Sequence, residues 1–128
     1  MARLETRLGT VLLLATLGAG CSEATPTTVN CVDIGVLGIV VRTFDAGTGA
    51  PVTVNGTAAA VDGSYREETV GYSFQGGAVA YSFAVERAGR YRVTISVPGY
   101  QVWSRDNVNV RQGVCHVETV RIDAQLTR

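Results

Sequence analysis

The side chains with the most chemical potential in this 128-residue chain are its three cysteines, Cys21, Cys31 and Cys115. An odd number of cysteines means that one of them has a different role from the other two. A zinc site is disfavoured, because no CxxC spacing occurs and the single histidine, His116, is too few to complete a tetrahedral set. The sequence therefore predicts one cysteine pair, one cysteine with separate chemistry, and neither a metal nor another cofactor.

His116 is the obvious candidate for a catalytic base, but it has no HExxH or similar motif around it. As the base of a serine hydrolase it would need a serine and an orienting carboxylate brought to it by the fold. Glu67 and Glu68 are adjacent in a predicted strand, so their side chains point to opposite faces and do not suit shared acid and base catalysis. We expect no enzyme; a cryptic hydrolase that uses His116 is the alternative.

Binding residues are easier to find than catalytic ones. Arg87, Arg90 and Arg92 form a group that could hold an anionic partner, although cross-strand pairs with carboxylates explain them as well. Tyr100 and Trp103 are the candidate ligand platform, because exposed aromatic rings stack on sugars. Packing in the core of a β-sandwich is the competing explanation for both rings.

The N-terminus has the pattern of a secretory signal peptide over residues 1–20. Arg3 and Arg7 precede an apolar run at residues 11–17, and small residues follow it up to Cys21. The run is shorter than the roughly 20 apolar residues of a membrane span. Cleavage before Cys21 leaves a polar tether at residues 21–30 and one domain at residues 31–128.

The segment Leu17-Gly18-Ala19-Gly20-Cys21 resembles the lipobox of bacterial lipoproteins, with Gly18 where that family usually has leucine. The resemblance implies a diacylglyceryl thioether on Cys21. Ser22 after the cysteine implies sorting to the outer membrane, on its periplasmic or surface face. Ordinary signal peptidase is the alternative, and it would release a soluble protein with a free Cys21. In either case Cys31 and Cys115 are left to form a disulfide in an oxidising compartment.

Charge excludes one class of partner. The chain has 11 basic and 11 acidic residues, and loss of Arg3, Arg7 and Glu5 with the leader leaves 9 and 10. A nucleic-acid-binding protein needs a clustered basic excess. We therefore expect an envelope protein or glycan as partner, besides the membrane that the N-terminal lipid would enter.

The rest of the chain alternates between strand and turn signals. Residues 79–85 and 90–97 show alternation of period two, which predicts strands with one buried face. Asp62-Gly63 predicts a type I′ hairpin, and a change of apolar phase near Glu118 predicts a β-bulge. The strand segments are residues 35–44, 52–54 with 57–61 split by Asn55-Gly56, 64–70, 79–85, 90–97, 100–110 and 114–126, about seven strands in all.

This pattern predicts an all-β fold, a seven-stranded antiparallel β-sandwich. Several further segments recur in a familiar order, namely Ile39-Val40-Val41, Thr48-Gly49-Ala50-Pro51, Val61-Asp62-Gly63-Ser64-Tyr65, Ala88-Gly89-Arg90-Tyr91-Arg92-Val93-Thr94-Ile95 and Pro98-Gly99-Tyr100. Together they resemble carboxypeptidase regulatory-like domains, which implies an immunoglobulin-like or transthyretin-like sandwich that is generally not catalytic.

Overall fold

The computed structural model describes Gly20 and residues 27–128, so the expected leader and Cys21 lie outside the described residues. The chain divides into two units, Met1–Asn30 and Cys31–Arg128. The described residues form no helix, and so none that is long and apolar enough to cross a membrane. The second unit is all-β.

Eight strands form two sheets of four in the described residues, rather than the seven strands expected. The first sheet has the order β4-β5-β1-β8, with β1 at Ile39–Asp45, β4 at Tyr72–Ser73, β5 at Val79–Phe83 and β8 at Val120–Leu126. The second has the order β3-β2-β6-β7, with β2 at Thr57–Asp62, β3 at Tyr65–Val70, β6 at Gly89–Ser96 and β7 at Trp103–Val110. Their inner faces contribute to one core cluster, so the arrangement is sandwich-like.

The expectation of a purely antiparallel fold is wrong for one pair of strands. β1 and β8 run parallel in register from Ile39 opposite Val120 to Asp45 opposite Leu126. Nearly the whole domain separates these two strands along the chain, which leaves room for the long connection that parallel pairing requires. Both strands therefore start at the same end of the domain.

The alternation of apolar and polar residues predicts the buried face of β6 correctly and that of β5 only in part. Tyr91, Val93 and Ile95 of β6 are all buried, as expected. In β5 the small residue Ala80 is also fully buried, because Tyr72 of β4 is its cross-strand neighbour. Val85, expected on the buried face, is 53% exposed, since β5 ends at Phe83 and the backbone then turns.

Three local predictions need correction. Residues 52–54 form no strand; Val52 instead accepts a backbone hydrogen bond from Val79 and donates one to Thr43. The hairpin turn of β2 and β3 is Gly63-Ser64 and has a positive φ of 59° at Gly63 alone, which is typical of type II′ rather than I′.

The expected bulge near Glu118 is absent, because β8 begins only at Val120 and a turn occupies residues 113–116. The irregularity lies instead between β6 and β7. There the register shifts between Tyr91 and Val93, and Asn107 has a φ of 56°. One extra residue in β7 therefore lies opposite Arg92, as in a β-bulge.

Candidate functional site

The outer face of the second sheet carries an open groove of about 890 Å³. Its floor follows from strand register, because Thr57 lies opposite Ser96 and Ala59 lies opposite Thr94. Residues directly opposite in a sheet project on the same face. The four central side chains are therefore short, and three of them carry hydroxyl groups.

Charged pairs form the two sides of this groove. On β3, Nη2 of Arg66 lies 2.6 Å from Oε1 of Glu68. On the other side, Arg92 of β6 is paired with Asp106 of β7 across the bulge. All four side chains are more than half exposed. The groove thus offers balanced charge at its sides and small polar groups at its centre.

The outer face of the first sheet is closed by its own side chains. Val40 and Ala80 lie in the sheet but are 5% and 0% exposed. Arg42 donates from Nε and Nη2 to the two carboxylate oxygens of Asp123, each at 2.9 Å. Phe74 lines a depression of only about 180 Å³ beside Val40. Of the two sheets, the second is the one with room for a partner on its outer face.

Tyr100 occupies a polar cluster at the end of the domain where β1 and β8 finish. Its hydroxyl donates to Oδ2 of Asp45 at 2.9 Å, and the same oxygen accepts a bond from Nε of Arg128 at 2.9 Å. The backbone amides of Gly47 and Thr48 donate to Oδ1. The Arg128 guanidinium and the Tyr100 hydroxyl, with these amides, lower the pKa of Asp45 to about 2.

The two rings of the expected ligand platform are not brought together in one depression. Tyr100 lines a shallow hollow of about 410 Å³ that adjoins the groove at Thr57 and Ser96. Trp103 lies opposite Ile95 and packs against the core, and the Arg105 guanidinium lies 5.9 Å from its ring centre. Both rings therefore pack against the core, and Tyr100 also lines the hollow beside the groove.

His116 is held by a carboxylate, as the base of a catalytic triad would be. Its Nδ1 lies 2.7 Å from Oε1 of Glu86, which also accepts a bond from the amide of Val36 at 2.8 Å. Burial favours a higher pKa for Glu86, but the bonds from Val36, His116 and Val117 lower the pKa below its ordinary value. Nε2 of His116 is buried and has no hydrogen-bond partner among the described residues. No serine hydroxyl therefore reaches it in this structure.

The neighbouring charged residues behave as surface and packing groups. Glu67 and Glu68 do point to opposite faces, because Glu67 accepts bonds from the Tyr65 hydroxyl and the Ala84 amide while Glu68 pairs with Arg66. Arg87 pairs with Asp62 at 3.0 Å.

The three arginines do not form one cluster. Arg87 stacks over the Tyr65 ring at 3.8 Å from its centre, so packing occupies its guanidinium. Arg92 is paired with Asp106. Arg90 is exposed and makes no ion pair with any described residue.

The predicted disulfide between Cys31 and Cys115 is confirmed, with Cα atoms 5.3 Å apart. The described residues contain no group of three or more His, Cys, Asp or Glu side chains placed to hold a metal ion. The lipidation predicted for Cys21 falls on a residue outside the described part of the chain.

Sequence reasoning missed the groove and Asp45. The groove depends on which residues of β2 and β6 lie opposite each other, and local patterns do not give that register. Asp45 did carry a signal, since Asp followed by Ala-Gly-Thr is typical of a turn in which the carboxylate binds the next backbone amides. Comparison with known proteins adds no identification: no protein-family model matches the chain, and no curated protein is significantly similar to it.

Proposed function

We propose that this chain is a non-catalytic binding module of the cell envelope, held at the outer membrane by lipid on Cys21, that binds an extended polypeptide segment. The contrast between the two sheets carries the proposal. One outer face is closed by its own side chains, whereas the other has an open groove of about 890 Å³. We also propose that the domain is related to carboxypeptidase regulatory-like, transthyretin-like sandwiches. The two four-stranded sheets around one core support this relationship.

The chemistry of the groove favours a polypeptide over a glycan. None of the side chains that line the groove itself is aromatic, and the Tyr100 ring in the adjoining hollow has the Arg128 guanidinium 4.8 Å from its centre. The groove itself therefore lacks the ring faces on which sugars usually stack. The hydroxyl groups of Thr57, Thr94 and Ser96 can both donate and accept hydrogen bonds. The flanking pairs offer both charges, which suits the alternating donors and acceptors of a peptide backbone.

Cross-linking in the envelope tests the groove. A photoreactive residue at Thr94 should capture one partner protein, and the variant Ala59→Arg should abolish that capture by filling the floor. Gln125→Arg is the matched control, because Gln125 is exposed on the outer side of the first sheet. Equal capture by wild type and Ala59→Arg would contradict the proposal, and so would binding to purified glycans with no protein captured.

Fractionation tests the anchor separately. Cys21→Ser should move the protein from membranes to the soluble exported fraction, because a diacylglyceryl group with an N-acyl chain gives the multiple-chain anchoring that one chain does not. Retention of the variant on membranes at the wild-type level would show that Cys21 is not the anchor.

A hydrolase that uses His116 is the second candidate, and the 2.7 Å contact between His116 and Glu86 is the observation that favours it. The buried Nε2 argues against it, since a general base must reach the proton that it removes. Activity against a panel of ester and amide substrates separates the two candidates. Turnover that His116→Ala abolishes while the fold is retained would support the hydrolase and contradict the binding module.

A further inference from the structure

Four exposed apolar side chains lie at the end of the domain that carries the disulfide. We call Val32, Ile34, Val85 and Val114 the apolar tip; they are 62%, 58%, 53% and 84% exposed. The disulfide brings the segments of Val32 and Val114 together, since each valine adjoins one of its cysteines. The Ile34 amide donates to the Val32 carbonyl at 3.0 Å, and a Cβ on Gly35 would lie 3.3 Å from Cγ1 of Val85. The segments that carry the four side chains therefore lie close together at this end of the domain.

The Glu86 carboxylate and the Gly113 amide near the tip are already bonded. The Glu86 carboxylate accepts from Val36 and contacts His116, and the Gly113 amide donates to the His116 carbonyl at 2.8 Å. That last bond closes a turn from which Val114 projects. Exposed apolar groups collected in this way mark surfaces that contact a partner or a membrane.

The position of the tip along the chain indicates which surface the tip contacts. Cys31 adjoins the tip residue Val32 and lies ten positions after Cys21, a span of at most about 36 Å when fully extended. β1 and β8 both run away from this end, so Arg128 lies at the opposite end, about 20 Å away along the strands. The tip is thus the part of the domain closest along the chain to a lipid on Cys21.

We infer that the apolar tip rests on the lipid bilayer and inserts Val32 and Val114 into the headgroup region. The inference depends on the anchor proposed above. Short tethering to one surface raises the effective concentration of lipid at the tip, so a weak apolar contact is populated. The charges near the tip are mixed: Arg111 is paired with Glu118, and Asp33 lies between the tip residues. Apolar contact rather than net charge therefore holds the tip, and the contact should depend little on salt.

Depth-dependent fluorescence quenching tests the contact. The lipidated full chain, reconstituted in vesicles of phosphatidylethanolamine and phosphatidylglycerol, carries an environment-sensitive fluorescent residue at position 114 or position 102. Val102 is the matched control, because it is 63% exposed and its neighbour Gln101 bonds to Thr127 at the opposite end. We expect several-fold stronger quenching by brominated lipid at position 114 than at 102, unchanged by high salt.

Variants give the second readout. With the reporter at position 114, Val32→Asp should lower the quenching towards the level seen at position 102, because removing roughly one buried valine weakens the contact equilibrium by about tenfold. Val102→Asp should leave it unchanged. Equal quenching at positions 114 and 102 in anchored protein would overturn the tip contact but leave the anchor intact. A shift at position 114 that depends on protein concentration but not on brominated lipid would assign the tip to a second copy. Protein that stays on the vesicles equally well after Cys21→Ser would instead overturn the anchor.

Discussion

The Tyr100 hydroxyl donates to Oδ2 of Asp45 at 2.9 Å and joins two residues that are 55 positions apart. The carboxylate is almost fully buried, with 8% of its side chain exposed, and Arg128 binds the same oxygen. These contacts tie the end of β1 to the loop before β7 and to Arg128.

Removing the hydroxyl should loosen that end of the domain. Tyr100→Phe keeps the ring but deletes the bonds to Asp45 and Arg128, so we expect a melting temperature several degrees below wild type. Tyr72→Phe is the control, because its hydroxyl bonds only to the neutral Ser82 on the surface. Equal effects of both substitutions, measured by thermal unfolding, would contradict the importance of the Asp45 cluster.

Asp45 should make stability depend on acid pH. Its folded pKa of about 2 lies below the ordinary value of 3.8, so its contribution is fully present above about pH 4 and is lost as pH falls towards 2. Asp45→Asn should remove that dependence. Urea unfolding at a series of pH values should show wild type more stable at about pH 6, with the two curves converging near pH 2. Parallel curves over the whole range would contradict the shifted pKa.

The disulfide should contribute a large share of the free energy of unfolding. It closes a loop with a sequence separation of 84, for which the chain-entropy model gives about 4 to 5 kcal/mol as an upper figure. The double variant Cys31→Ser with Cys115→Ser should lose much of this in urea unfolding. Cys21→Ser should lose none, and a comparable loss there would show that the pairing is not unique.

Gly38 is needed for close packing between β1 and the loop after β5. A Cβ there would lie 2.5 Å from the Ala84 carbonyl oxygen and 3.1 Å from Cγ1 of Val110. Gly38→Ala should cost about 1 to 3 kcal/mol of unfolding free energy, as overpacked sites do. At Gly35 the neighbour is the exposed end of Val85, so Gly35→Ala should be nearly neutral. Denaturant unfolding of the two variants provides the comparison, and similar stabilities would contradict the steric argument.

Local pattern predicted the class of the fold and much of its strand content, because alternation reports directly which face of a strand is buried. Tyr91, Val93 and Ile95 show this in β6. Local pattern did not predict the parallel pairing of β1 with β8, nor the burial of Ala80 under β4. Both depend on which strands become neighbours, and contacts between distant segments decide that.

The candidate site, like the fold, was predictable from local sequence only in part. Cysteine parity predicted the bond between Cys31 and Cys115, since the separate role expected for Cys21 leaves two cysteines to pair. The groove could not be read in this way. Its floor is a row of ordinary small residues, and it becomes a groove only because Ala59 and Thr94 lie opposite each other between longer charged side chains.

The disulfide has a mechanical consequence. A tension applied through the tether enters the domain at Cys31, and without the bond it would pass through residues 32–38 into β1 alone. With the bond, part of the load passes to Cys115 and then along the chain into β8, which pairs with β1 and starts from the same end. Two adjacent strands are then pulled together in one direction, so the load does not shear the hydrogen bonds between them. A pull on the chain before Cys31 is thus transmitted to the fold by two covalent paths and does not peel the first strand from its sheet.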